Sequence, residues 1–136
     1  MPMTDTASEF CNDIASSIAI DVDTGFLAEQ SQPEQQRFAF RYTITIHNRG
    51  VQAAQLLSRH WVITDTNDQV QEVQGLGVVG QQPDIPAGCS YTYSSGAILA
   101  TPAGIMEGSY EFRQPDGETF TAPIPAFALV PPGALH

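Results

Sequence analysis

A short polar cluster, Ser58-Arg59-His60-Trp61, holds the residue types best suited to chemistry in this chain. Ser58 and His60 share one face of an extended strand, as a nucleophile and its base would. The sequence shows no nucleophile elbow, no pair of oxyanion donors and no carboxylate that would orient His60. We therefore assign no catalytic residues and expect a protein that is not an enzyme.

Arg59 raises a separate question, because strict alternation places it on the same strand face as Leu57 and Trp61. A guanidinium on an inward face must find a carboxylate or carbonyls, unless a bulge in the strand releases it. The favoured interpretation is structural: Arg59 lies near the end of a sandwich, stacked on an aromatic ring or paired with Glu72 or Glu107. The functional alternative is a site for a partner's carboxylate or a phosphate, which Arg binds with a planar donor fork.

The glycines Gly75, Gly77 and Gly80 form a GxGxxG pattern downstream of that cluster. In dinucleotide-binding proteins this pattern matters only where a helix follows it and its N-terminal amides meet a pyrophosphate. Pro83 and Pro86 prevent such a helix here, and no βαβ unit surrounds the glycines. We expect a loop or strand with close backbone approach, and a backbone nest for a smaller anion stays open as an alternative.

Composition and spacing give no support for metal, cofactor or nucleic-acid binding. His47, His60 and His136 are spread along the chain without the spacing of metal ligands, so we predict no metal site and no cofactor. The formal net charge is −10, and Lys and Arg together number 5. Such a chain has no continuous basic face for phosphates, so we expect no nucleic-acid partner.

Alternating hydrophobicity predicts an all-β domain that positions these residues. The clearest strand is Arg37–Asn48, in which apolar and polar residues strictly alternate. Further inward-facing sets begin at Ile18, Cys89, Met106 and Phe120, with turn-forming residues between them. About seven short strands separated in this way are typical of an antiparallel sandwich or barrel.

Two details favour a sandwich over a barrel, and a third identifies an edge strand. Trp61 lies in the middle of a central strand, where immunoglobulin-like domains bury a tryptophan between their sheets. Gly108 and Tyr110 have the spacing of a tyrosine corner, in which the Tyr hydroxyl bonds back to the backbone. Pro123 and Pro125 remove two backbone donors from the last strand and so suit an edge position.

The ends of the chain predict a leader over residues 1–16, a sandwich domain over 17–130 and a tail over 131–136. The leader is acidic and polar, unlike a signal peptide, and no apolar run is long enough to cross a bilayer. Cys11 and Cys89 are therefore expected to be free thiols, and the protein is expected to be cytoplasmic.

Several segments taken together resemble the ApaG (CorD) family: LLSRHWVITD, VQEVQGLGVVGQQP, SGAILATPAGIMEGSYEF and the final ALH. The matching positions are Ser58, Arg59, His60, Trp61, Gly75, Gly77, Gly80, Gly108 and Tyr110. The resemblance runs from about Ile18 to His136 and brings no established catalytic residues. It implies a fibronectin type III-like sandwich regarded as a protein interaction module, also found in eukaryotic F-box and DNA-polymerase-interacting proteins. It also implies a link to cobalt and magnesium efflux, and to genes for diadenosine tetraphosphate hydrolysis and ribosomal RNA methylation.

Three hypotheses for function follow. The favoured one is a non-enzymatic interaction module that presents a strand edge or the Arg59-His60 surface to an unidentified protein partner. The second is a small-anion or nucleotide binder that uses Arg59 with the glycines between Gly75 and Gly80, and the third is a divalent-cation sensor. A homodimer through an unprotected edge strand is a further alternative, and the acidic charge favours basic partners.

Overall fold

A computed structural model of the chain describes residues 17–132. The predicted leader, and the tail from residue 133 onward, lie outside these residues. Eight strands make up the fold: β1 Ile18–Phe26, β2 Phe38–Asn48, β3 Ala54–Asp65, β4 Val70–Leu76, β5 Asp84–Ile85, β6 Ser90–Leu99, β7 Gly104–Arg113 and β8 Thr119–Leu129. Two single-turn 3-10 helices, Ala28–Gln30 and Pro33–Gln35, connect β1 to β2.

The strands form two antiparallel sheets. The smaller sheet has the order β1-β2-β6, and the larger has the order β4-β3-β7-β8, with the two-residue β5 also pairing with β3. Seven strands are thus seven residues or longer, as the alternation predicts, and β5 is an additional short one. The predicted all-β antiparallel sandwich is confirmed.

The core lies between the sheets and is built from the inward positions of each strand. In β2 the alternation buries Phe40, Ile44 and Ile46 almost completely. Trp61 of β3 is 2% exposed and contacts the rings of Tyr42 and Phe127 edge to face, at centroid distances of 5.5 and 5.8 Å. The predicted position of the tryptophan between the sheets is therefore confirmed.

Buried polar side chains hold the turns between strands. Asp65 Oδ1 accepts hydrogen bonds from the backbone N–H groups of Asn67 (2.8 Å) and Gln69 (3.0 Å), which closes the β3–β4 turn. Asn48, 2% exposed, donates from Nδ2 to the carbonyl of Ile85 and so ties the end of β2 to β5. These bonds compensate the desolvation of both side chains.

The four edge strands lie on two sides of the sandwich. On one side β1 packs against β8. Here Pro123 and Pro125 lie in β8, which confirms the predicted edge position, and Asp21 and Asp23 of β1 are exposed. On the other side, β4 and β6 are the edges.

Two sequence-based predictions are wrong in detail. Tyr110 does not form a tyrosine corner, because its hydroxyl meets the hydroxyl of Tyr93, from the opposite sheet, at 2.5 Å. Cys89 is not an inward strand residue: it precedes β6 and is exposed, although its thiol is free as predicted. Cys11 lies outside the described residues. Within residues 17–132, no helix has the length and hydrophobicity needed to span a membrane.

Candidate functional site

A bulge in β3 determines how the candidate residues are displayed. Leu56 pairs with Phe112 of β7, whereas Ser58 pairs with Glu111, so Leu57 is an extra residue in β3. The predicted inward position of Leu57 is therefore wrong: Leu56 is fully buried in its place, and Leu57 is only half-buried. Strict alternation resumes after the bulge.

The Ser58-Arg59-His60-Trp61 cluster consequently faces in two directions. Arg59 pairs with the fully buried Tyr110, so Arg59 and Trp61 belong to the inner face of the large sheet, as predicted. Ser58 and His60 belong to its outer face. The structure thus divides these residues between the two faces of the large sheet.

On the outer face, Ser58 and His60 each meet a carboxylate of their own. His60 Nε2 lies 2.8 Å from Glu72 Oε2, and Ser58 Oγ donates to Glu111 Oε1 at 3.4 Å. An orienting carboxylate for His60 therefore exists, contrary to the sequence interpretation, and strand pairing brings it there from β4. Since the hydroxyl is directed to Glu111 and not to the imidazole, the pair does not form a nucleophile and its base.

A depression of about 500 Å³ lies beside the same residues. It is lined by Ser58, Arg59 and His60 of β3 and by residues 74–76 of β4. Leu76 is 78% exposed there.

Arg59 satisfies its inward position through backbone carbonyls. Its Nη1 donates to the carbonyl oxygens of Leu76 (3.2 Å) and Gly77 (2.9 Å), so the predicted pairing with Glu72 or Glu107 is wrong. None of the ion pairs within residues 17–132 includes Arg59. The positive charge of this guanidinium is therefore not neutralised by any carboxylate of the described residues.

The GxGxxG stretch provides the space and the carbonyls that Arg59 uses. Gly75 pairs with Arg59 across the β3–β4 ladder, and a Cβ at Gly75 would lie 2.8 Å from Nη1. Gly77 and Gly80 have φ values of 65° and 78°, and Val79, a β-branched residue, has φ 43°. A turn follows in place of a helix, which confirms the predicted loop with close backbone approach.

Some backbone N–H groups of the glycine stretch already donate hydrogen bonds within the chain. The N–H of Gly77 donates to the carbonyl of Leu57, and the N–H of Val78 donates to the carbonyl of Gln81, both at 2.8 Å. Two donors that an anion nest would need are therefore engaged with the chain itself.

A pair of tyrosines forms the polar interior near Arg59. Burial raises the pKa of Tyr93 and of Tyr110 well above the ordinary tyrosine value, and the guanidinium of Arg59 lowers both to a smaller extent. The two hydroxyls therefore stay protonated at neutral pH and hydrogen-bond to each other.

Another cleft opens on the side of the sandwich between β4 and β6. It encloses about 490 Å³, and its lining includes Tyr42, Val73, Ala97 and Met106, with Arg59 and Trp61. A second hollow of about 410 Å³ shares Ile63, Gln71 and Ile98 with this cleft and extends it toward Arg37. We call the two together the β4–β6 cleft.

Trp61 adds an unusual feature to the wall of this cleft. Its Nε1 is, within residues 17–132, the buried side-chain polar atom that has no hydrogen-bond partner. A buried donor without a hydrogen-bond partner lowers the free energy of unfolding by about 1 to 3 kcal/mol, which makes this N–H an unfavourable feature of the core. Sequence reasoning identified Trp61 but missed the cleft, whose signal in the sequence is the uncharged strand β6.

Metal ligands do not converge in the described part of the chain. No group of three or more His, Cys, Asp and Glu side chains is placed to hold an ion there. His47 is bonded through Nε2 to Asp21 and through Nδ1 to Ser90, both at 2.7 Å, and His136 lies outside the described residues.

Comparison with known proteins places this fold in a family. The family model of the ApaG domain matches residues 28–114, which include strands β2 to β7 and the whole glycine stretch. The chain belongs to the ApaG domain family. Protein ApaG of Ectopseudomonas mendocina is 60% identical over 119 residues, which are 88% of this chain and 94% of that protein. Protein ApaG of Pseudomonas aeruginosa (strain LESB58) is 55% identical over 125 residues, 92% of this chain and 99% of that protein.

Two solved structures share the ApaG-type sandwich. An X-ray structure of a Northeast Structural Genomics Consortium target superposes with a TM-score of 0.86 at 50% identity, covering 90% of this chain and 93% of that one. The crystal structure of a putative ApaA protein from Bordetella pertussis gives a TM-score of 0.83 at 45% identity, covering 86% and 95%. The resemblance inferred from the sequence is thus confirmed.

Proposed function

We propose that this ApaG-family chain is a non-enzymatic protein interaction module that binds its partner along the open side of the sandwich, between β4 and β6. The observation that carries the proposal is the edge of β6. Its ten residues, SYTYSSGAIL, include no charged residue and no proline. In the described part of the chain β6 pairs with β2 alone.

Unprotected edges of this kind favour pairing with another chain. Backbone N–H and C=O groups along a free edge accept an added strand, and proteins usually block such edges with charges or prolines. This chain has such protection at β1, through Asp21 and Asp23, and at β8, through Pro123 and Pro125. Its absence from β6 supports a role for that edge in binding.

Exposed apolar side chains flank the same opening. Val70 of β4 and Ile98 of β6 are 62% and 49% exposed, and both contribute to the β4–β6 cleft. A protein partner would cover them and gain about 25 cal/mol for each Å² of apolar surface removed from water. The net charge of −10 favours a partner that is basic overall.

The other two hypotheses have weaker support from the described residues. Small-anion binding at Gly75–Gly80 would have to compete with backbone carbonyls for Arg59 and for two of the loop amides. Cation sensing lacks a cluster of ligands within residues 17–132. An association of the family with cobalt and magnesium efflux would then act through the bound partner.

Affinity purification with variants of the β6 edge tests the proposal. Ser95 is half-buried at the mouth of the cleft, and Ser95→Lys would place a charge at the middle of the edge, which opposes strand addition. The matched control is Thr45→Lys, which adds the same charge to the outer face of the central strand β2.

The expected result is a specific partner that is recovered with the wild type and with Thr45→Lys and is lost with Ser95→Lys. Thermal unfolding of each variant shows whether the fold is retained. A folded Ser95→Lys variant that recovers every partner would contradict binding along the open side. Light scattering adds a further outcome: a wild-type dimer that Ser95→Lys converts to a monomer would identify the partner as a second copy.

A further inference from the structure

We infer that the β4–β6 cleft takes an extended peptide segment of a partner protein that carries an acidic side chain directed to Arg59. The inference rests on the proposed function and specifies the chemistry of the segment that binds. It connects the free edge of β6, the apolar lining of the cleft and the unneutralised guanidinium at its end.

The shape of the cleft suits a strand. A segment paired with β6 would direct every second side chain toward the space between the sheets. There it would meet Tyr42, Val73, Ala97 and Met106, which are apolar over most of their surface. Apolar residues at alternate positions are therefore expected in the segment.

The length of the cleft limits the size of the segment. Along β3, which forms its floor, the lining runs from Arg59 to Asp65. These seven residues are separated by six strand rises, which span roughly 20 Å at about 3.3 Å each. A bound segment of about six residues would fill the cleft from end to end.

The charges of the lining favour an acidic residue in that segment. The charged side chains that line the cleft are two arginines, Arg59 at one end and Arg37 at the other, and one carboxylate, Asp65. The carboxylate of Asp65 already accepts two backbone N–H groups. The cleft therefore has a local positive charge within a chain of net charge −10, and a carboxylate on the entering segment complements it.

Arg59 retains donors for such a carboxylate. Its Nη1 is bonded to two carbonyls, whereas its Nη2 and Nε have no hydrogen bond within the described residues. An Arg fork binds a carboxylate with charge-assisted hydrogen bonds.

Selection from a displayed library of random twelve-residue peptides tests the inference. The library is selected on the wild-type protein after depletion on Ser95→Lys. The expected peptides carry apolar residues at alternate positions and an Asp or Glu. Fluorescence anisotropy with one labelled synthetic peptide then compares the wild type with Arg59→Gln and with Arg41→Gln, whose side chain lies on the outer face of the small sheet.

We expect Arg59→Gln to bind the peptide about 10- to 100-fold more weakly, as for a hydrogen bond to a charged group, and Arg41→Gln to bind within about twofold of the wild type. Changing the acidic residue of the peptide to its amide should remove the difference between the wild type and Arg59→Gln. Since Arg59 also holds two carbonyls, Arg59→Lys serves as a second variant that keeps the charge and should bind more tightly than Arg59→Gln.

Three results would overturn the inference: no enriched peptide, peptides without an acidic residue, or equal binding by wild type and a folded Arg59→Gln. If any of these results were obtained but the capture of a partner still depended on Ser95, the proposed function would remain supported and only this inference would be contradicted. Peptides that bind Ser95→Lys as tightly as the wild type would contradict both, since they do not need the β6 edge.

Discussion

Alanine substitution of the three glycines in GxGxxG should separate a conformational role from a ligand-binding one. Each glycine meets a different environment. Gly77 has a positive φ, and a Cβ there would collide with the backbone carbonyl of Gln81. Gly80 also has a positive φ, but no atom lies within 4 Å of the Cβ position. Gly75 has only the movable guanidinium of Arg59 in the way.

The expected losses of stability follow from these contacts. A left-handed conformation costs a residue other than glycine about 1 kcal/mol, and forced overpacking adds about 1 to 3 kcal/mol. Gly77→Ala should therefore cost about 3 kcal/mol and Gly80→Ala about 1 kcal/mol. Gly75→Ala should cost about 1 kcal/mol or less, because a side chain yields more easily than backbone.

Thermal unfolding followed by circular dichroism measures these differences. A chain of 136 residues loses about 3.5 °C in Tm for each kcal/mol, given an unfolding entropy of about 2.1 cal/mol/K per residue. Gly77→Ala should lower Tm by about 10 °C and Gly80→Ala by about 3 to 4 °C. Equal losses at Gly77 and Gly80 would refute the assignment of the cost to the Gln81 carbonyl.

Calorimetric titration of the same variants with pyrophosphate addresses the ligand-binding alternative. We expect no heat at millimolar pyrophosphate for the wild type, because carbonyls and not amides face Arg59. A binding signal that Gly80→Ala abolishes without much loss of stability would favour an anion site.

Two further predictions concern buried polar groups. Because the pKa values of Tyr93 and Tyr110 are raised, the folded state holds their protons more tightly than the unfolded state does. The contribution of the two hydroxyls to the free energy of unfolding is therefore complete below about pH 10 and is lost as the pH rises further. Urea denaturation between pH 9 and 11 (the range is approximate) should show this loss in the wild type and a shallower one in the double variant Tyr93→Phe/Tyr110→Phe; equal slopes would contradict it. Asp65→Ala should cost about 2 to 3 kcal/mol through two lost hydrogen bonds to a carboxylate, whereas its turn neighbour Asn67→Ala should change urea stability by less than about 0.5 kcal/mol.

Features that depend on local pattern were predictable from the sequence. The alternation in β2 identified the strand and its buried face because side chains on a strand alternate strictly where no bulge interrupts them. The prolines in β8 identified an edge because a missing N–H excludes central pairing. Pro83 and Pro86 excluded a helix after the glycines for the same local reason.

Features that depend on pairing between distant strands were not predictable. The bulge at Leu57 arises from the register of β3 against β7, which nothing in the sequence of β3 alone reveals. The partner of the Tyr110 hydroxyl comes from the opposite sheet, and Glu72 reaches His60 diagonally across the β3–β4 ladder. Each of these contacts joins residues whose relative positions are set by the whole fold.

Charges and prolines are distributed unevenly over the edge strands, and this distribution supports binding at the open side between β4 and β6. β1 and β8 pack against each other, so their edges are partly covered, yet they carry acidic residues and prolines. β6 borders a cleft that solvent enters, and its edge carries neither. If avoiding unwanted strand pairing were the only requirement, the more accessible edge would need the stronger protection. The reverse arrangement is expected where strand addition at β6 is the function. Arg59 lies at the end of the same cleft, and no carboxylate from residues 17–132 is paired with it.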